Sequence, residues 1–312
     1  MSTPQSPLQQ ALEEYLSLRR ALGFRLDSAA RLLGQFVEYL DQLGIDTITT
    51  EDTLTWAMLP AHASRHWWAI RVSVVRGFAT YLHGTDPRVQ IPPPGLIRCG
   101  TSRATPYLYS DAEIRALIDV AAGLQPRLRA ATYQTLIGLL AVSGIRIGEA
   151  ITADEHDLDL DHGVLLVRHA KFDKQRLIPL HASTVQALEA YLQLRHQLCP
   201  RAGSPALFIS TACTRLLHSN ISLTFAQLAG QVGLTRRSAA CRPRIHDVRH
   251  AFAVHTVLDW YATGAEVPAM MPRLSTYMGH TDPKHTFYYL SAAPELMALA
   301  GQRLDSYLGG GR

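Results

Sequence analysis

Apolar residues recur at helical spacing through the first eighty-odd positions of the chain. Leu8, Leu12, Tyr15, Leu16 and Leu22 form one stripe, which Gly23 ends. Ser28 can cap a second helix that carries Leu32, Leu33, Phe36, Val37 and Leu40 and stops before Gly44. A short helix is expected over 51–58, and a longer one over 64–82 with Trp67, Ile70, Val74, Phe78 and Tyr81 on one side. Four helices with short connections predict a small all-α domain at 1–84. The pattern then breaks. Pro87, Pro92, Pro93, Pro94 and Pro106, with Gly95 and Gly100, predict an extended linker over 85–107. A second domain, 108–312, opens on Ser110-Asp-Ala-Glu113, a capping-box signature. A helix over 128–142 follows and Gly144 ends it. Residues 164–168 and 176–180 read as two strands around a hairpin centred on Lys171 to Lys174, and helices return from 182 to about 307. The fold class is therefore mainly α: a helical front domain, then a mixed α+β domain with a small antiparallel sheet.

Composition narrows the function classes. With 47% hydrophobic and 18% charged residues the 312-residue chain is a folded protein of about two domains. No run of eighteen apolar residues exists, and Met1 to Gln10 lack the marks of an export signal, so a cytoplasmic protein without membrane partners is expected. Cys99, Cys199, Cys213 and Cys241 have no C-x-x-C spacing, which argues against a zinc cage and suggests reduced thiols. The net charge of +4 is unevenly spread. Residues 1–100 hold nine arginines against nine acids, whereas 162–255 carry an excess of nine positive charges. A segment so cationic is the footprint of a polyanion binder. Of the thirty basic residues only Lys171, Lys174 and Lys284 are lysine, and two of these sit in one hairpin.

Four stretches place polar groups in apolar surroundings: Gly144-Ile-Arg146-Ile-Gly-Glu149, the Lys171/Lys174 hairpin, His246-Asp-Val-Arg249-His250, and Gly279-His280 with Tyr289 nine residues beyond. Singly, each has an ordinary structural reading. Arg146 can pair with Glu149 three residues on. His246 and Arg249 share a helix face. His246 and His250 have a metal-ligand spacing, but no acidic or cysteine partner stands at a useful interval, so no metal and no cofactor is expected. His280 reads as a helix-end histidine, and Tyr289 as core packing.

Together and in this order they resemble the tyrosine recombinase family, also called the phage integrase family, over about residues 108–308. The resemblance implies that the front domain is a core-binding (SAM-like) helical bundle and the second domain is catalytic. It implies Arg146, Lys171, His246, Arg249, His280 and Tyr289 as catalytic residues, with Lys174 and Tyr288 as neighbouring candidates. The implied activity is site-specific recombination of double-stranded DNA through a 3′-phosphotyrosine, by a homo-tetramer, alone or with a related recombinase. A type IB topoisomerase and a silent DNA-binding regulator are the alternatives.

These residue types suit that chemistry. A tyrosine oxygen attacks phosphorus and a 5′-hydroxyl leaves. Two arginines can clamp the nonbridging oxygens and stay charged at any working pH. A free phenol has a pKa of about 10, so cationic neighbours and a base such as His246 must help it lose its proton. His280 can hydrogen-bond a phosphate oxygen. The departing alkoxide needs a proton, which lysine can give and arginine cannot.

Overall fold

The computed structural model describes residues 6–24, 26–99, 104–170, 174–200 and 203–280, with 282 and 286. The chain divides into two compact units, Met1–Ser102 and Arg103–Arg312.

The front unit has four helices: α1 (Pro7–Ala21), α2 (Asp27–Gln42), α3 (Thr50–Met58) and α4 (Arg65–His83). Side chains of Ser6, Thr49 and Ser64 accept the N–H of Gln9, Asp52 and Trp67, which satisfies donors that a helix start leaves unpaired. Leu33, Phe36, Leu40, Trp56, Val75 and Phe78 fill the core. Two local expectations fail. Leu22 caps the end of α1 and is 63% exposed, one residue beyond the helical stripe. α2 starts at Asp27 after Leu26 in a left-handed conformation (φ 54°), so Ser28 already lies inside the helix. The buried side of α4 is also rotated from the expected one. Arg71, Val72, Val75, Phe78, Ala79 and Leu82 are buried, while Trp67, Ile70, Val74 and Tyr81 flank them. Packing against three helices rather than one widens the face that α4 buries.

Arg71 sits inside this core. Its guanidinium lies 3.6 Å from the centre of the Trp56 ring and donates to the Trp56 carbonyl at 2.8 Å. The proline-rich stretch runs along α4: Arg76 donates to the carbonyls of Pro92 and Pro93, and Val89 is buried.

The second unit contains α5 (Asp111–Ala122), α6 (Arg127–Ser143), α7 (Ile147–Thr152), a 3-10 turn (Glu155–Asp157), β1 (Leu158–Asp159), β2 (Val164–Ala170), β3 (Lys174–Pro179), α8 (Ala182–Leu198), α9 (His218–Gln231), α10 (Asp247–Ala262) and α11 (Val267–Tyr277). The Ser110/Glu113 capping box opens α5 as expected. The sheet is antiparallel in the order β1-β2-β3. β1 escapes the sequence pattern because two residues carry no period. Cross-strand pairs Leu165–Ile178 and Val167–Arg176 share the inner face, so alternation turns Arg176 inward and leaves Leu177 65% exposed. Tyr109, Leu136, Ile145, Phe208, Phe225 and Val248 belong to one core, and α10 and α11 close a smaller one around Val257 and Leu274.

The thiol expectation needs correction. Cys199, at the end of α8, and Cys213, in a left-handed turn (φ 57°), form a disulfide with Cα atoms 6.2 Å apart. The two cysteines stand 14 positions apart in sequence, and that spacing alone does not disclose their proximity. Cys99 and Cys241 remain thiols.

Arg71→Ala should lower the unfolding free energy by about 2–3 kcal/mol, since it removes a buried donor to the Trp56 carbonyl and the guanidinium stacked on the Trp56 ring. Urea unfolding followed by tryptophan fluorescence measures it. A change under about 0.5 kcal/mol would show that the buried arginine contributes nothing net.

Candidate active site

Three turns of the second unit supply the described site residues. α6 ends at Gly144, whose φ of +58° favours glycine, and a Cβ there would lie 2.2 Å from the Phe252 ring. The chain then reverses so that Arg146 caps α7. Glu149, one turn into α7, accepts the backbone N–H of Arg146 at 2.8 Å and its Nη1 at 2.8 Å. At the second turn His246 immediately precedes α10, and Arg249 lies in its first turn. The third is Met278-Gly279-His280 after α11, with Gly279 at φ +66°.

The arginines tie these turns together. Arg249 is only 2% exposed and donates to the carbonyls of Gly144 and Met278. Arg146, with a third of its side chain exposed, donates Nη2 to the Gly279 carbonyl at 3.0 Å. Arg249 Nη2 also lies 3.1 Å from His280 Nε2. Arginine has donors only, so Nε2 is the acceptor there. His280 carries its proton on Nδ1, which donates to Thr286 Oγ1 at 2.7 Å. To donate from Nε2, His280 must hold a proton there and the Arg249 group must turn aside.

Charge follows the same geometry. Glu149 is buried, which alone would raise its pKa, but hydrogen bonds and charge from Arg176 and Arg146 outweigh burial and bring it to about 2. The protein packed around the His246 ring, and then the positive charge of Arg249, Arg244 and Arg146, hold its pKa below 6.5 although its edge reaches solvent. His246 is therefore neutral at pH 7 and able to accept a proton. Burial drives His250 lower, to about 3, with the cations adding to the effect. The Asp247 carboxylate is fully buried and its pKa is raised by burial, partly offset by Arg244, which forks onto both of its oxygens at 2.9 and 3.0 Å. A concavity of about 480 Å³ beside His246 is lined by His218, Arg236, Arg242 and Arg244. Arg236 and Arg242 are exposed there, so the lining suits an anion.

Arg146, His246, Arg249 and His280 thus come from three separate segments of the chain into one cationic cluster. Lys171, Tyr288 and Tyr289 lie outside the described residues, as do Leu296, Leu299, Ala300, Leu304 and Leu308, an apolar tail stripe in the sequence. Three participants escaped the sequence reading. Arg176 pairs with Glu149, the carbonyls of Gly144 and Met278 hold Arg249, and Thr286 holds His280. Arg176 had a signal, a charged residue at an inward strand position; the carbonyls had none. Among the described residues, Asp154, His156 and Asp157 meet at metal-ligand spacing. Asp154 is paired with Arg215 and Asp157 with Arg168, so their charge is already matched.

The model of the phage integrase family matches residues 108–295. The chain is also 43% identical over 306 residues to y4rB of Sinorhizobium fredii, which carries the name integrase/recombinase, covering 96% of this chain and 98% of that protein. The chain belongs to the phage integrase family. Tyrosine recombinase XerD of Caulobacter vibrioides is a more distant relative of this integrase-family chain, at 28% identity over 89% of the chain and 87% of XerD. Solved structures share the fold. One is XerH site-specific recombinase bound to palindromic difH substrate, with a TM-score of 0.59 at 17% identity over 99% of this chain and 90% of that one. Another is the Tn1549 transposon integrase in complex with a circular intermediate DNA, with a TM-score of 0.61 at 17% identity over 94% and 99%. Among the described residues no helix is long and apolar enough to cross a membrane.

Buried His250, with His246 beside it, predicts an acid-sensitive fold. Both folded pKa values are depressed, so the unfolded chain binds more protons, and stability falls as pH drops below 6.5 toward the folded values. From pH 7 to 5.5, His250 alone should cost roughly 1 kcal/mol. Urea midpoints across that range should fall in the native chain, and His250→Gln should flatten the fall by about that amount. An unchanged slope would mean that His250 titrates normally.

Proposed function

We propose that this chain is a site-specific DNA recombinase that breaks and rejoins strands through a 3′-phosphotyrosine at Tyr289. The observation that carries this reading is the convergence of Arg146, Arg249 and His280, held by the carbonyls of Gly144, Met278 and Gly279 and by the Arg249–His280 contact, with His246 beside the arginines. Such a cluster offers directed donors and positive charge to a phosphodiester, and negative charge grows on the nonbridging oxygens as the phosphorus is attacked.

In the proposed mechanism Arg146 and Arg249 bind those oxygens and His280 donates to one of them. His246, neutral near pH 7, accepts the phenolic proton as Tyr289 attacks. The P–O5′ bond breaks, and Lys171 protonates the departing oxygen. Rejoining runs the same steps backward with a 5′-hydroxyl from the partner strand, so bond energy is kept and no external cofactor is consumed. The exposed Arg236 and Arg242 meet neighbouring phosphates, with affinity that falls steeply as salt rises. The partner is double-stranded DNA carrying recombination sites, and the front unit is a core-binding domain that grips it. A homo-tetramer bringing two duplexes together in the cytoplasm completes the proposal, with the sequence's apolar tail stripe as the contact between subunits.

Tyr289→Phe should bind a site-bearing duplex like the native chain but form no covalent complex on a nicked suicide substrate. Covalent trapping of the variant on DNA would move the nucleophile to Tyr288.

The general-acid role of Lys171 is tested by replacing the bridging 5′-oxygen with sulfur, which leaves as a stable thiolate without a proton. Lys171→Ala should be slower by about 10²–10⁴-fold on ordinary DNA and near normal on the sulfur-bridged strand. Arg146→Ala should show no such rescue. Rescue of Lys174→Ala in place of Lys171→Ala would transfer the role within the hairpin.

A further inference from the structure

Arg176 is a charged residue where the strand pattern calls for an apolar one. Its neighbours on the inner face are Val167 across the hairpin and Ile178 along β3. Only 13% of its side chain is exposed. Its guanidinium forks onto Glu149, with Nη1 3.0 Å from Oε1 and Nη2 2.7 Å from Oε2. The same carboxylate receives Arg146 Nη1 on Oε1 and the Arg146 backbone N–H on Oε2. Arg146 Nη2 is thereby left to reach the Gly279 carbonyl. Gly279 is pressed against both guanidiniums: a Cβ there would lie 2.8 Å from Arg176 Nη1 and 3.4 Å from Arg146 Nη1.

We propose that Arg176 is a positioning residue for strand cleavage: by occupying both oxygens of Glu149, it keeps that carboxylate from folding wholly onto Arg146 and from cancelling its charge. The inference rests on the reading of Arg146 as a phosphate clamp. Two guanidiniums around one carboxylate leave one net positive charge, which Arg146, the more exposed of the two, presents to the phosphate. With Arg176 gone, Glu149 and Arg146 form a neutral pair. A planar fork then favours Arg146 turning to take both oxygens, which breaks its bond to the Gly279 carbonyl next to His280. Arg176 acts through Glu149 and touches no reacting atom.

The test uses the full chain and a suicide duplex. Arg176→Met should trap DNA covalently about 100-fold more slowly, the loss expected when a clamping group is displaced by about 1 Å. Arg176→Lys keeps the charge without the fork and should recover part of the rate. The deciding variant is Arg176→Met combined with Glu149→Gln. Removing the carboxylate frees Arg146, so the double variant should be at least tenfold faster than Arg176→Met alone. A double variant as slow as the single one, or slower, overturns the proposal, because a packing role or direct phosphate contact by Arg176 gives no reason for rescue. An activity-free arm is the crystal structure of Arg176→Met, in which Arg146 should hold both Glu149 oxygens and release Gly279. Arg146 unmoved there also overturns it. If the native chain traps no DNA while Arg146 swings as stated, the recombinase reading fails, and with it the role in cleavage, while the hold of Arg176 on Arg146 through Glu149 stands.

Discussion

One buried carboxylate organises the cationic site. Glu149 sits where solvent cannot stabilise its charge, and two arginines from different elements do so instead. Breaking such a pair from one side typically costs more than the pair contributes, because the remaining charge is stranded. Glu149 therefore has to be satisfied by α7 and β3 together, and the sheet has to sit where Arg176 can reach it. The small sheet is thus tied to the site by charge as well as by its place in the core.

A second constraint acts on the backbone. Arg249 donates to the carbonyls of Gly144 and Met278, so the turn after α6 and the turn after α11 are held from inside. Gly144 and Gly279 both have positive φ, and in both the space a Cβ would need is already occupied. Side-chain geometry in the site is set by turns that tolerate little substitution, and those turns are set by an arginine that is itself inside the fold.

Much of this was legible in the sequence because the signals are local. Ser64, the Ser110/Glu113 box and Gly144 mark helix ends through bonds made within a few residues, and the corresponding boundaries fall within a residue or two. The hairpin is legible too, though its strands, Val164–Ala170 and Lys174–Pro179, run closer to the turn than the 164–168 and 176–180 read from the pattern. The order Arg146, His246, Arg249, His280 is likewise readable, as a pattern of types and intervals. The parts that were not readable depend on tertiary contact. Which residues of α4 face inward depends on three partner helices. The pairing of Cys199 with Cys213 depends on a folded loop. The link from Arg176 to Glu149 spans 27 residues and two elements. Leu22 and Ser28 misled because a stripe or a cap signal has no force one residue beyond the element that it marks.

Residues 105–109 are fastened to the start of α10 and the turn before it. Arg244 reaches the Thr105 carbonyl at 3.5 Å, the Cys241 thiol the Pro106 carbonyl at 3.5 Å, and the Tyr109 hydroxyl the Arg244 carbonyl at 3.0 Å. Asp247, the first residue of α10, accepts the Tyr107 N–H. Residues 105–109 and the start of α10 therefore form one buttressed piece, with its bonds on either side of His246.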